Sequence, residues 1–173
     1  MTGDEEWVDL IDEQDRVVGR VTRRQMRAGN LLHRTVAVLC LAPDGRAYVQ
    51  RRTQHKDVFP GLYDMFVGGV VESGESYAAT ARREIGEELG IVGPVPELLF
   101  MHRYEGAHSR SHTAVFRVTW AGPIHHQPSE VEWGCYCALD EIVENRHGWR
   151  FVPDGWQFFE RYLELQRLKK PAF

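Results

Sequence analysis

The sequence has few cysteines, no surplus of basic charge and no long apolar run. Cys40, Cys135 and Cys137 are its only thiols, and their spacing matches no zinc motif. Cys135 and Cys137 alternate on an expected strand and should point the same way. All three read as reduced, structural side chains of a cytoplasmic protein. The formal charge of −4 argues against a general nucleic-acid binder. A polyanionic ligand would therefore need local cations or a metal. No apolar stretch approaches the roughly 20 residues of a membrane helix, so no membrane partner is expected. The opening MTGDEEWVD has no signal-peptide character. Internal repeats and low-complexity linkers are also missing.

What is present fits one globular domain over residues 1–173, with 43% hydrophobic residues to build a core. Residues 1–30 read as an N-terminal hairpin or arm, with the core at 31–173. The arm either completes a sheet or packs on a partner subunit, which leaves a homodimer open. Strands are expected at Trp7 to Ile11, Val17 to Thr22, Arg34 to Leu41 and Ala47 to Arg52, with Pro43-Asp44-Gly45 as a turn. Tyr63 to Val67 leads into a glycine-containing loop, and further strands are expected at Glu97 to Tyr104, Thr113 to Trp120 and Val131 to Ala138. Asp140 is a candidate cap for a short helix, and Asp154 to Leu168 reads as a terminal helix. Strands on both sides of a central helix, with a helix at the end, indicate an α/β fold with a sheet between helices.

The most informative stretch is GVVESGESYAATARREIGEELGI, from Gly69 to Ile91. Ser76 is placed to N-cap a helix over Tyr77 to Leu89, and Gly90 to stop it. Ala78, Ala81, Ile85 and Leu89 form the expected apolar stripe. Glu84, Glu87 and Glu88 stand at i, i+3 and i+4, sharing one face. Clustered carboxylates repel one another until a hard divalent cation lies between them, and oxygen ligands suit Mg2+ or Mn2+. Glutamates on a helix are usually only a solvated face, so the full spacing carries the argument. Gly68, Gly69 and Gly74 suit a loop with unusual backbone angles or close approach to an ion.

That spacing resembles the Nudix box: Gly69, Glu75, Arg83-Glu84-Ile85, Glu87-Glu88 and Gly90-Ile91, with no position missing. The resemblance implies a Nudix α/β/α sandwich with a mixed central sheet. It also implies a Mg2+-dependent hydrolase that cleaves the pyrophosphate bond of a nucleoside diphosphate linked to another group. Arg83 and Glu75 would pair to hold the loop against the helix, with Glu75 in reach of the metal. Glu84, Glu87 and Glu88 would hold the metal with the Gly69 carbonyl. Glu84, Glu130 and Glu132 are alternative general bases. A non-catalytic nucleotide sensor is the rival with the same box.

Outside the box, VDLIDEQDRVVG, Gln50-Arg51-Arg52 and Pro60-Gly61 resemble the isopentenyl-diphosphate isomerase-like branch. In the isomerases a cysteine precedes the box glycine and a glutamate sits on a later strand. The matching positions are Gly68 and about Ser111, so both acid/base groups are gone and the box keeps its hydrolase carboxylates. Arg52 and Lys56 match a basic pair that holds substrate diphosphate, or are ordinary charges at a strand end. His33 matches a metal-binding histidine, or is structural. His102, His108 and His112 flank a loop able to line the pocket. Phe59, Tyr63, Tyr104 and Trp133 are stacking candidates or core aromatics. The loops Glu105 to His112 and Gly122 to Ser129 carry no decodable signature of substrate.

Overall fold

The computed structural model describes residues 5–56 and 58–169, so the first four residues of the arm lie outside it. The chain begins with a hairpin, β1 (Trp7–Ile11) and β2 (Val17–Thr22), followed by α1 (Arg23–Ala28). The hairpin turn is set by Asp12, whose Oδ1 accepts the Gln14 and Arg16 N–H groups at 2.9 and 3.0 Å. The sequence reading missed α1. Its signal was present, because Thr22 and Gln25 form a reciprocal capping box. The pairing Leu10↔His33 joins this arm to the central sheet.

The sheet is organised on β3 (His33–Leu41). Along one edge β3 runs parallel to β8 (Arg110–Thr119) over its full length, and β7 (Glu97–Glu105) lies antiparallel outside β8. The other edge of β3 is shared by β1, by β6 (Phe66–Val67) and, at Leu41, by β4 (Ala47–Arg52). Strand β4 in turn pairs with β5 (Tyr63–Asp64) and β9 (Val131–Cys137). The sheet is therefore mixed.

Alternation along β3 builds two cores. Val36, Val38 and Cys40 face α2 (Tyr77–Leu89), meeting Ala81, Ile85 and Leu89. Ala37, Leu39 and Leu41 face the opposite layer, meeting Ile142 on α3 (Leu139–Glu144) and Phe158, Phe159 and Tyr162 on α4 (Pro153–Lys169). This is the expected α/β/α sandwich, since a period of two puts successive strand residues on opposite faces.

Local departures from the sequence reading have identifiable causes. Tyr63 to Val67, read only as the lead into the box loop, holds two short strands parted at Met65, where the Asp64 carboxylate accepts the Phe66 N–H at 3.0 Å and turns the chain. Thus β5 pairs with β4, whereas β6 pairs with β3. Asp140 does not cap α3: Ala138 holds the cap position with no side-chain bond, and Asp140 lies in the first turn. Ala78 is exposed, and Thr80 takes its place in the buried face of α2. The Thr80 hydroxyl is accommodated there by donating to Glu75 at 2.6 Å.

Candidate active site

Helix α2 presents the box. Ser76 caps it by accepting the Ala79 N–H at 3.2 Å, and Gly90 ends it in the left-handed region at φ 67°. The helical phase grades the burial of the three carboxylates across one face. Glu84 and Glu88 are buried at 8% and 7% exposure, whereas Glu87 is exposed. The three share one face, as expected, with Glu84 and Glu88 as a buried pair one turn apart and Glu87 at its rim.

Arg83 ties this face to the preceding loop. Its Nη1 donates to Glu84 at 2.9 Å and to Glu87 at 3.3 Å, and its Nη2 and Nε donate to Glu75 at 3.1 and 3.3 Å. Glu75 is held below its ordinary carboxylate range by the Arg83 and Thr80 bonds, against the opposing effect of burial. Glu84 is pushed up to about 7, first by burial and then by the charge of Glu88, with Arg83 opposing. Burial also raises Glu88, against the fields of Lys56 and Arg52 and a 3.3 Å bond from the Gly68 N–H.

The loop before the box lies hard against these groups. A Cβ at Gly69 would overlap the Glu84 Oε1 and stand 2.9 Å from its Cδ, so the glycine leaves that carboxylate its space. The Gly69 carbonyl accepts the Val36 N–H at 2.9 Å, leaving one lone pair. Among the described residues, no three His, Cys, Asp or Glu side chains converge closely enough to hold a metal ion. Arg83 bridges Glu84 and Glu87 instead. The donor set nonetheless fits a hard cation: a buried glutamate pair, a rim glutamate and a backbone carbonyl, all oxygen.

On the other side of Gly68 and Gly69 is a cavity of about 180 Å³. Its walls include Val36, Phe59, Phe66, Val67 and Phe158, and its polar lining includes Arg23, His33, Arg52, Asp64 and Asp154. The Nε atoms of Arg23 and Arg52 are buried without a hydrogen-bond partner. Of the basic pair read from the sequence, Arg52 lines the cavity with Gly68 and Gly69, but Lys56 does not and is paired with Glu130. That ion pair also occupies Glu130, one of the alternative bases, and Glu132 lies 3.7 Å from Arg51.

His33 lines the cavity, is buried at 4% exposure, and has its Nδ1 2.8 Å from the Leu31 carbonyl. Burial lowers its pKa, which favours a neutral ring. Gly68 is more decisive. A Cβ there would overlap the Val36 carbonyl oxygen, so this backbone admits no side chain at the isomerase cysteine position. Ser111 is fully buried and bonded to Thr113 at 3.0 Å. Among the ring candidates, Phe59 and His108 line the cavity, Tyr104 is buried, and Tyr63 stacks on Trp149 at 4.9 Å away from it. His102 bonds Gln157 at 3.3 Å, and His112 lies 3.5 Å from Asp15.

Sequence reasoning did not find Arg23, Asp64 or Asp154 as cavity residues. None sits in a motif, and only the fold brings α1, β5 and the start of α4 together.

The chain matches the family model described as NUDIX domain over residues 31–161. It is 45% identical over 163 residues to an uncharacterised Nudix hydrolase of Streptomyces coelicolor, covering 93% of this chain and 90% of that one. It is 37% identical over 150 residues to the uncharacterised Nudix hydrolase YfcD of Escherichia coli, covering 87% and 82%. The crystal structure of DR0079 from Deinococcus radiodurans is similar in fold, with a TM-score of 0.78 at 24% identity over 90% of this chain and 98% of that one. The Nudix domain of Shewanella oneidensis NrtR, solved with ADP ribose, has a TM-score of 0.61 at 20% identity, covering 84% and 99%.

Proposed function

The chain belongs to the NUDIX domain family, whose enzymes act on pyrophosphate bonds, and on that premise we propose a Mg2+- or Mn2+-dependent hydrolase of a nucleoside diphosphate linked to another moiety. The observation that carries this reading is the contact of Gly69 with Glu84. It sets the buried box carboxylates immediately behind the wall of a cavity lined by two guanidinium groups with unpartnered nitrogens. Glu84, Glu87, Glu88 and the Gly69 carbonyl would hold the metal. When bound, it would neutralise diphosphate oxygens and lower the pKa of a water. Two raised carboxylates side by side are what such an ion would relieve.

The side chains would share the remaining work. Arg52 supports the diphosphate, and its buried, unpaired Nε is satisfied by a phosphate oxygen. Arg83 and Glu75 fix the loop and position Glu84. Glu84 is the favoured base because, unlike Glu130 and Glu132, it lies against Gly69 at the cavity wall. The isomerase-like branch enters as scaffold ancestry, supported by the motifs outside the box. Its chemistry is disfavoured by the overlap that forbids a side chain at Gly68. A nucleotide-linked substrate gains support from the similarly folded domain solved with ADP ribose.

The test is product release from nucleoside di- and triphosphates, nucleotide sugars, dinucleotides and isoprenoid diphosphates, with Mg2+ or Mn2+. Metal-dependent cleavage of one class, reduced about a hundredfold or more in Glu84→Gln, is expected. Intact substrates with retained nucleotide binding would instead indicate a sensor.

A further inference from the structure

Behind the box lies a pair of acidic residues that the hydrolytic reading does not use. Asp64 ends β5, and Asp154 lies in the first turn of α4. Both line the cavity that also contains Gly68, Gly69 and Arg52. The two elements are packed closely here, because a Cβ on Gly155 would stand 2.5 Å from the Asp64 Oδ1. Glycine at that position lets the start of α4 close over the Asp64 carboxylate.

The rest of the lining narrows what fits. Phe59, Phe66 and Phe158, with Val36, Val58, Val67 and Val152, make much of the wall apolar. Flat apolar walls with a few fixed polar groups suit a planar ring system. A cavity of about 180 Å³ is below the roughly 300–1,000 Å³ of sites for drug-sized ligands, so it suits one ring system with its attachment. A hydrocarbon chain would leave the second oxygen of each carboxyl group facing it without use, since the backbone N–H groups of Phe66 and Gly155 engage only one oxygen of each. A sugar would satisfy them but not use the aromatic walls.

We infer that Asp64 and Asp154 form the base-recognition end of this cavity, receiving the edge of a nucleobase that presents an N–H donor beside a ring-nitrogen or carbonyl acceptor. The inference rests on the cavity receiving the nucleotide substrate proposed above. Burial, reinforced by the charge of Asp154, pushes Asp64 up to about 8. At neutral pH Asp64 therefore keeps its proton and donates; burial also raises Asp154, whose Oδ1 accepts the Gly155 N–H at 3.1 Å and whose second oxygen remains as an acceptor. One Asp64 oxygen already accepts the Phe66 N–H, which fixes the direction of the carboxyl group. Gly68 lies four residues beyond Asp64 in the chain, a step of at most roughly 13 Å at about 3.3 Å per residue. A nucleotide bound at Asp64 can therefore reach the box with its phosphates.

The deciding experiment is titration calorimetry of the full chain with the four ribonucleoside 5′-monophosphates and ribose 5-phosphate, in chelator. The expected result is that at least one nucleotide binds about tenfold or more tightly than ribose 5-phosphate. Asp154→Asn, which replaces an acceptor with a mixed group, should remove most of that preference, as should Asp64→Ala. Each variant must first show a cooperative unfolding transition. If Asp64→Ala does not fold, the wild-type panel and Asp154→Asn decide. Equal binding of ribose 5-phosphate and all four nucleotides by the wild type would overturn the inference, as would a folded Asp154→Asn that keeps its preference. Hydrolysis of the matching diphosphates with Mg2+ separates this result from the parent reading. Base preference without turnover sinks only the hydrolase, and turnover without base preference sinks only the recognition site.

Discussion

Gly68 lies so close to Val36 that a Cβ would overlap the Val36 carbonyl oxygen and stand 2.9 Å from its carbonyl carbon. The obstacle is backbone on the central strand, which cannot rotate away as a flexible side chain would. Gly68→Cys is therefore expected to destabilise the fold by about 1–3 kcal/mol or more, and to produce no isomerase activity. Thermal unfolding and an isoprenoid-diphosphate isomerisation assay check both parts. A variant with wild-type stability would show that the loop yields easily.

At the neighbouring glycine the obstacle is the Glu84 carboxylate. A side chain can move, so Gly69→Ala should fold while displacing Glu84. Activity should fall about tenfold or more, with a higher metal concentration at half-maximal rate. A metal titration of the rate reads this directly, and an unchanged titration would remove Gly69 from the site.

Arg83 faces Glu72, Glu75, Glu84 and Glu87, at 3.8, 3.1, 2.9 and 3.3 Å. Removing it leaves four carboxylates without their shared cation. Arg83→Ala should lose about 1–3 kcal/mol in chelator. Added Mg2+ should then raise its Tm more than it raises that of the wild type, because the ion takes over the lost neutralisation. Melting curves with and without Mg2+ test this, and equal shifts would count against a metal at these glutamates.

Asp64 provides a pH signature. Its folded pKa is raised to about 8 from an ordinary 3.8, with burial as the main cause. The folded state therefore binds the proton more tightly than the unfolded state does. That stabilisation is complete below the unfolded pKa and is lost as pH rises through the folded value. Asp64→Asn, which mimics the neutral form, should lose less stability than the wild type between about pH 4 and pH 8. The difference should reach on the order of a few kcal/mol. Parallel pH series of Tm would contradict a buried, protonated Asp64.

Much of the fold was legible in the sequence because it depends on near neighbours. The 3.6-residue period, Ser76 at one end and Gly90 at the other define α2 whatever surrounds it. The unbroken apolar run Val36 to Leu41 likewise marks β3 as a strand. Errors arose where a side chain acted on its own backbone. Asp64 turns the chain at Phe66, so the lead into the box loop holds two short strands that the sequence did not show. The burial of the three box glutamates was not legible either, since helical spacing gives their angles but not the position of the sheet that buries Glu84 and Glu88 while leaving Glu87 outside.

The sequence by itself determined the box and the helix that carries it, because both are written in local spacing, and the resemblance carried by that spacing implied the mixed sandwich. Only the tertiary structure decided which groups face the substrate cavity. Lys56 is absent from its lining, whereas Arg23 from the arm, Asp64 from β5 and Asp154 from α4 are present. Such neighbours depend on sheet register and on how closely two backbones can approach. Glycines at 68, 69 and 155 permit that approach through contacts between segments far apart in the chain.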